Sequence, residues 1–277
     1  MEIDRRAFIA GLGGVAAVNL MSDEAKADAL EDFMTRQLNQ RVAQTATPVS
    51  GAPTFPTVAD LEAQIETRVR RRGVGNLFVA QTGNVKRLTA MSSAPTLMDF
   101  FKLRFTGTSN HCLQSANRAV NTGMSEEVVL ACLLHDVVQE LIKVDHGWWG
   151  AQLFEPYVPE RTTFAVRYHQ ALRFYADPAN GYEYPDLYHR VFGRDYKPEP
   201  YIEQTYQTVR KHKWYGDARM VTVNDLYAFD PDAAPVNLEQ FTDIIGRHFK
   251  QPKQGLGYDN SPVAHMWRSI ERPDAPL

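Results

Sequence analysis

Between Ser125 and Asp145 the chain reads SEEVVLACLLHDVVQELIKVD, an apolar, helix-forming run with His135 and Asp136 side by side in its middle. A stretch this apolar has to be buried, and a carboxylate carried inside without a partner is costly. Asp136 therefore needs a cation. Further imidazoles on neighbouring apolar segments, His111 upstream and His146 and His169 downstream, make a metal ion the most economical one. Adjacent residues of a helix project about 100° apart. One helix can present both groups to a metal only if other helices complete the shell, so the pair constrains fold and chemistry together.

The rest of the chain supplies those helices. From Thr96 onward, segments such as APTLMDFFKLRF, NHCLQSANRAVNTG, TTFAVRYHQALRFYA, YIEQTYQTVRKHKWY and LEQFTDIIGRHF follow one another with short polar or proline breaks. Gly123 ends one helix and Ser125 caps the next. VVLACLL resembles a buried strand, but its length and helical flanks favour a helix. There is no internal repeat and no series of alternating strands, so the expected class is all-α. Residues 45–58, rich in Pro, Thr, Ser and Gly, read as a linker. Asp28 to Ala43 is compatible with a helix, and Asp60 to Arg72 reads as a helix whose Arg70-Arg71-Arg72 end suits the helix dipole. The expected division is 1–29 leader, 30–95 extension and linker, 96–250 metal-binding helical domain and 251–277 C-terminal tail.

The leader reading rests on MEIDRRAFIAGLGGVAAVNLMSDEAKADA. Arg5-Arg6 followed by Phe8 and Ile9, then a Gly/Ala-rich apolar stretch, resembles a twin-arginine export signal, with A-x-A cleavage options at Ala25, Ala27 and Ala29. Asp23 and Glu24 are atypical there, and the alternative is an amphipathic N-terminal helix of the mature fold. Export by the twin-arginine machinery, which carries folded proteins, would place a metal-loaded protein in the periplasm. A net charge of −3 gives no electrostatic reason to expect nucleic acid. No apolar run reaches the roughly 18 residues of a membrane span. Cys112 and Cys132 read as small buried side chains.

Asp225, in VTVNDLYAFD, is a further ligand candidate, whereas His189, His212, His248 and His265 lie in polar surroundings and read as surface groups or supports. The ordered set His111, His135-Asp136 and Asp225 resembles the HD-domain superfamily, whose signature is His…His-Asp…Asp on a helical scaffold. The resemblance runs from about Thr96 to Phe249. Most of that superfamily are metal-dependent phosphohydrolases. A smaller branch has two extra histidines before the final aspartate, the places of His146 and His169, and so holds two metals. Within it the chain is similar to the mixed-valent diiron oxygenases, the myo-inositol and HD-domain phosphonate oxygenases, through HCLQSA, RYHQALRFY and NDLYAF.

That resemblance implies two irons, Fe(II)/Fe(III), held by His111, His135, Asp136, His146, His169 and Asp225, with Asp136 as the bridge. N/O ligation without thiolate suits iron, with manganese or another divalent metal as the alternative. The implied reaction uses O2 on a small hydroxylated substrate. Arg173 is expected to bind an anionic substrate group. Gln139 stands where the relatives place Lys or His to grip substrate; a neutral group there points to a less highly charged compound. Trp148 and Trp149 are expected in the core. The alternative is a phosphohydrolase in which the same ligands activate a water, with Lys143, Arg167 and Arg173 as the nearby cations.

Overall fold

The computed structural model describes residues 23–45 and 88–273. The twin-arginine run, most of the linker and the helix expected over Asp60–Arg72 lie outside the described residues. Within them the fold is all-α: eleven α-helices and three short 3₁₀ turns, with one isolated bridge between Asp177 and Tyr182. No described helix is long and apolar enough to cross a membrane.

The described residues fall into two compact units, 23–44 with 107–249, and 88–106 with 250–273. The smaller holds α2 (Leu97–Leu103) and α11 (Ala264–Glu271). A capping box starts α2, with Thr96 Oγ1 accepting from Asp99 N at 3.2 Å and Asp99 Oδ2 accepting from Thr96 N at 2.8 Å. Its core is aromatic: Phe100 meets Trp267 edge to face at 4.7 Å. Buried Arg104 donates through Nε to the carbonyls of Ile270 and Glu271, at 3.1 and 3.0 Å, and so satisfies acceptors left open at the end of α11.

The larger unit holds α1 (Asp23–Thr45), α3 (Ser109–Asn121), α4 (Glu126–Leu134), α5 (His146–Phe154), α6 (Glu160–Leu172), α7 (Asp186–Phe192), α8 (Pro200–Val209), α9 (Tyr215–Leu226) and α10 (Thr242–His248). The helix α6 is central and packs against α4, α5, α8 and α9. Every residue of α4 from Val128 to Leu134 is buried, as a helix apolar on all sides must be. Gly123, at φ 70°, closes α3, with Met124 N bonding back to Ala119 O at 3.0 Å. Cys112 and Cys132 are both free and buried. The helix α1, read from sequence as the end of a leader and the start of an extension, belongs to this unit.

The run from Ser125 to Asp145 is not one helix. It stops at His135, and Asp136 takes φ −107°, ψ −1° before a 3₁₀ turn over Val137–Glu140. That sparsely populated region suits side chains that must be aimed. The chain leaves the helical path after Asp136, and the two neighbours face one centre, with His135 Nε2 3.4 Å from Asp136 Oδ1. The chain then turns through Asp145, the one described non-glycine residue with positive φ (55°), and starts α5 at His146.

Glu140 ties this turn to the start of α3: its Oε1 accepts from Gly107 N at 2.8 Å and Thr108 N at 3.1 Å. Burial pushes its carboxyl up to about 7, against the pull of those two amides. The folded state therefore holds this proton more tightly than the unfolded chain, whose glutamate titrates at 4.5. The resulting stability is present below pH 4.5 and lost as pH rises through about 7. Glu140→Gln keeps the accepting oxygen and should flatten that decline, on the order of 3 kcal/mol, in denaturant unfolding curves taken between pH 4.5 and 7.5. An unchanged slope would mean that Glu140 is not the titrating group.

Candidate metal centre

Five segments of the larger unit converge on one buried site. His111 comes from the first turn of α3, His135 and Asp136 from the break after α4, His146 from the first residue of α5, His169 from α6 and Asp225 from the end of α9. All six residues are 5% exposed or less. Two ligand groups form, one of His111, His135, Asp136 and Asp225, the other of Asp136, His146 and His169. Asp136 is in both.

The four imidazoles are oriented the same way. Each Nδ1 lies against a backbone carbonyl: His111 on Ala228 (3.1 Å), His135 on Cys132 (2.8 Å), His146 on Lys143 (2.8 Å) and His169 on Val166 (2.7 Å). A carbonyl only accepts, so each Nδ1 must carry a proton and each Nε2 is the nitrogen aimed inward, the one that would offer its lone pair to a metal. Three of those carbonyls lie three residues before their own histidine, so the local backbone itself sets the ring. Fixing the tautomer through the far nitrogen is the usual support of a metal-bound histidine.

The inward atoms crowd, and most of them stay unsatisfied. His111 Nε2 lies 3.1 Å from His135 Nε2 and 3.0 Å from Asp225 Oδ1. His146 Nε2 lies 2.9 Å from Asp136 Oδ1, and His169 Nε2 3.6 Å from the same oxygen. Yet Asp136 Oδ1, His146 Nε2, His169 Nε2 and Asp225 Oδ1 make no hydrogen bond. Lone pairs this close, in a site this buried, repel unless protons or a metal ion lie among them. Ligands about 2.1 Å from one ion stand roughly 3.0–3.4 Å apart at octahedral or tetrahedral angles, close to the spacings found. The donor set, imidazole and carboxylate with no thiolate, fits a metal ion.

Protonation follows the same field. Burial disfavours an imidazolium at His135 and His146, but the charge of Asp136, joined at His135 by Asp225 and at His146 by Asp28 and Glu31, lifts them to about 9 and about 10. Burial raises the carboxyls of Asp136 and Asp225, but their histidine neighbours hold both below the ordinary carboxylate range. At His169 burial prevails and lowers the imidazole to about 4. A metal ion supplies the positive charge that protons otherwise bring, so its binding releases them.

Two residues that the sequence reading did not pick out complete the wall. Asp28 and Glu31, one turn apart on α1, are 1% and 3% exposed and reach Arg173. Arg173 Nη2 donates to Asp28 Oδ1 at 2.7 Å, and Nη1 pairs with Glu31. Glu31 Oε2 lies 3.8 Å from His146 Nε2, and Asp28, Glu31 and His146 form a third group with ligand spacing. Gln139 Nε2 spans Asp136 Oδ2 and Glu31 Oε2, both at 3.4 Å. Gln170 links α1 to α5, accepting from Gly147 N at 2.7 Å and donating to Asp28 at 2.8 Å. Burial raises the Glu31 carboxyl to about 8 against the pull of Arg173. The only sequence signal for this pair was an i, i+3 spacing of acids on a helix-compatible run, which is common on solvated faces.

Arg173 is thus inside the site but engaged by internal carboxylates. Lys143 pairs with Asp32 at 2.8 Å on the surface. Trp148 and Trp149 are not core residues: they stand 46% and 43% exposed, because the face of α5 that His146 and Gly150 turn inward leaves them outside. His212 stacks on Phe164, and His248 pairs with Glu126 at 2.7 Å, both away from the centre. No family model matches the sequence, and no curated protein matches it either.

Gly147 permits the close approach of α5 to α6. A Cβ there would stand 2.9 Å from Val166 O and 3.0 Å from His169 Cε1, too close for either backbone or ring to stay in place. Gly147→Ala should cost about 1–3 kcal/mol of stability and weaken metal binding about tenfold or more by displacing His169. Metal content after dialysis against a weak chelator tests this, with Asp136→Ala as the fully depleted reference. Wild-type metal retention in the glycine variant would refute the packing argument.

Proposed function

We propose that this chain is a dinuclear metal enzyme of the HD-domain type, a mixed-valent diiron oxygenase that uses O2 to oxidise or cleave a small hydroxylated substrate. The observation that carries the reading is Asp136, a fully buried carboxylate shared by two ligand groups. A carboxylate has two oxygens and can serve two ions, whereas each imidazole here has one lone pair to give. A single structural metal would need no second set.

His111, His135, Asp136 and Asp225 would hold one ion, and Asp136, His146 and His169 the other. The second group is two histidines and one carboxylate, a composition that leaves coordination positions open and is associated with iron in oxygen chemistry. When bound, the iron pair supplies O2 activation and redox capacity. The protein's own part is to aim the ligand nitrogens inward, exclude water and position the substrate. Asp28 and Glu31 stand beside His146, and Arg173 pairs with both. An anionic substrate group would have to take Arg173 from these partners. Together with the neutral Gln139, this favours a hydroxylated substrate of low negative charge. It also weighs against the phosphohydrolase reading, since a phosphoryl group would meet two carboxylates.

Protein prepared at low oxygen should contain about two irons per chain and, after partial reduction, give the EPR signal of a coupled Fe(II)/Fe(III) pair. With a hydroxylated substrate it should consume O2. Hydrolysis of an aryl phosphate with added Mn(II), without that signal, would replace this reading with the phosphohydrolase one.

The leader reading extends to a proposal of twin-arginine export to the periplasm with metal already bound. Asp28 then has to remain in the mature chain. Cleavage after Ala25 or Ala27 keeps it, and cleavage after Ala29 removes it. Mass spectrometry of the exported protein should find an N-terminus at or before Asp28; a start at Leu30 in active protein would show that Asp28 is dispensable.

A further inference from the structure

On the outer side of α5 and α6 lies a cavity of about 340 Å³, lined by Asp145, Trp148, Trp149, Tyr168, Tyr201 and Gln170, with Arg167, Ala171, Ile202 and Thr205 completing it. It is separate from the metal centre, whose ligands are buried. Two indole rings and a phenol ring stand 43–47% exposed at Trp148, Trp149 and Tyr201. Soluble proteins seldom leave large aromatic rings clustered in contact with water unless the patch binds something. The two indoles meet at 89° with centroids 4.7 Å apart and so form a corner of π faces.

The chemistry of that corner is specific. Aromatic faces carry negative quadrupole charge and attract cations, Trp most strongly. Among the described residues no Lys or Arg lies over Trp148 or Trp149, whereas Trp214, Tyr182, Tyr206, Tyr215, Tyr227 and Phe174 each have one. Asp145 adds a carboxylate on the same wall, where Tyr201 Oη donates to its Oδ1 at 3.3 Å. Asp145 is also the described non-glycine residue held at positive φ, and backbone strain of this kind concentrates at binding sites. Arg167 lines this cavity as well as a neighbouring one, so its positive charge works against a cation and excludes a polycation, and the aromatic faces and Asp145 have to outweigh it. The volume is at the small end for ligand pockets.

We propose that this cavity binds a small organic cation bearing a methylated ammonium group, enclosed by the aromatic rings and paired with Asp145. A quaternary ammonium needs no hydrogen-bond acceptor and loses little hydration against aromatic faces, which is why aromatic cages select it. The inference does not depend on the identity of the metals or on the reaction.

The test is calorimetric titration of the full chain, as purified, with choline chloride and tetramethylammonium chloride. The uncharged isostere 3,3-dimethylbutan-1-ol and sodium chloride at matched ionic strength serve as controls. Saturable binding of both cations at one site is expected, with the isostere at least about tenfold weaker. Trp149→Leu and Asp145→Asn, the latter chosen because Asn tolerates positive φ, should each weaken the cations by about tenfold. Trp149→Leu should leave metal content unchanged. Should Asp145→Asn disturb the adjoining His146, the tryptophan variant decides alone. Equal binding of the neutral isostere would reduce the cavity to an apolar cleft. Absence of saturable cation binding, or binding unaffected by Trp149→Leu, would overturn the proposal.

Discussion

The architecture of the larger unit depends on one requirement: the carboxylate of Asp136 must be kept charged in the middle of an apolar bundle. A lone buried carboxylate would be protonated or would unfold its surroundings. Here four imidazoles come within 4 Å of it and Asp225 joins the same ligand group, while its Oδ1 completes no hydrogen bond. Such a cluster is poised for a positive ion rather than for internal pairing.

Helical structure makes this convergence achievable at low cost. Three histidines bind the carbonyl three residues behind them, so each ring is set by its own turn of chain before any tertiary contact forms. His111 differs. Its ring is held by Ala228 of the segment after α9 and stacks on Phe229 at 4.1 Å, so its orientation depends on long-range packing. The glycine contact between α5 and α6 then sets the depth at which His146 and His169 meet.

Much of this was legible in the residues. Periodic apolar runs, short breaks and the absence of strand alternation gave the all-α class, and Gly123 and the Ser125 turn marked a real helix boundary. The six ligand candidates came from histidines and acids in apolar surroundings, where an unpaired polar group is conspicuous. Less was legible where a residue's meaning lay in its partner. Asp28 and Glu31 look like ordinary acids on a polar helix until α1 is folded against Arg173. Trp148 and Trp149 look like core because bulky aromatic residues usually are. Only the rotation of α5, fixed by His146, turns them outward.

The sequence by itself determined the class of fold and the types of atom available at the centre, because burial and periodicity are local properties of the chain. Tertiary structure decided which atoms meet. It broke the helix at His135-Asp136, placed Asp136 in two ligand groups, brought an N-terminal helix into the wall and opened an aromatic cavity on the far side. Those outcomes depend on distances between segments more than a hundred residues apart, such as the 2.7 Å from Arg173 to Asp28, which no local pattern encodes.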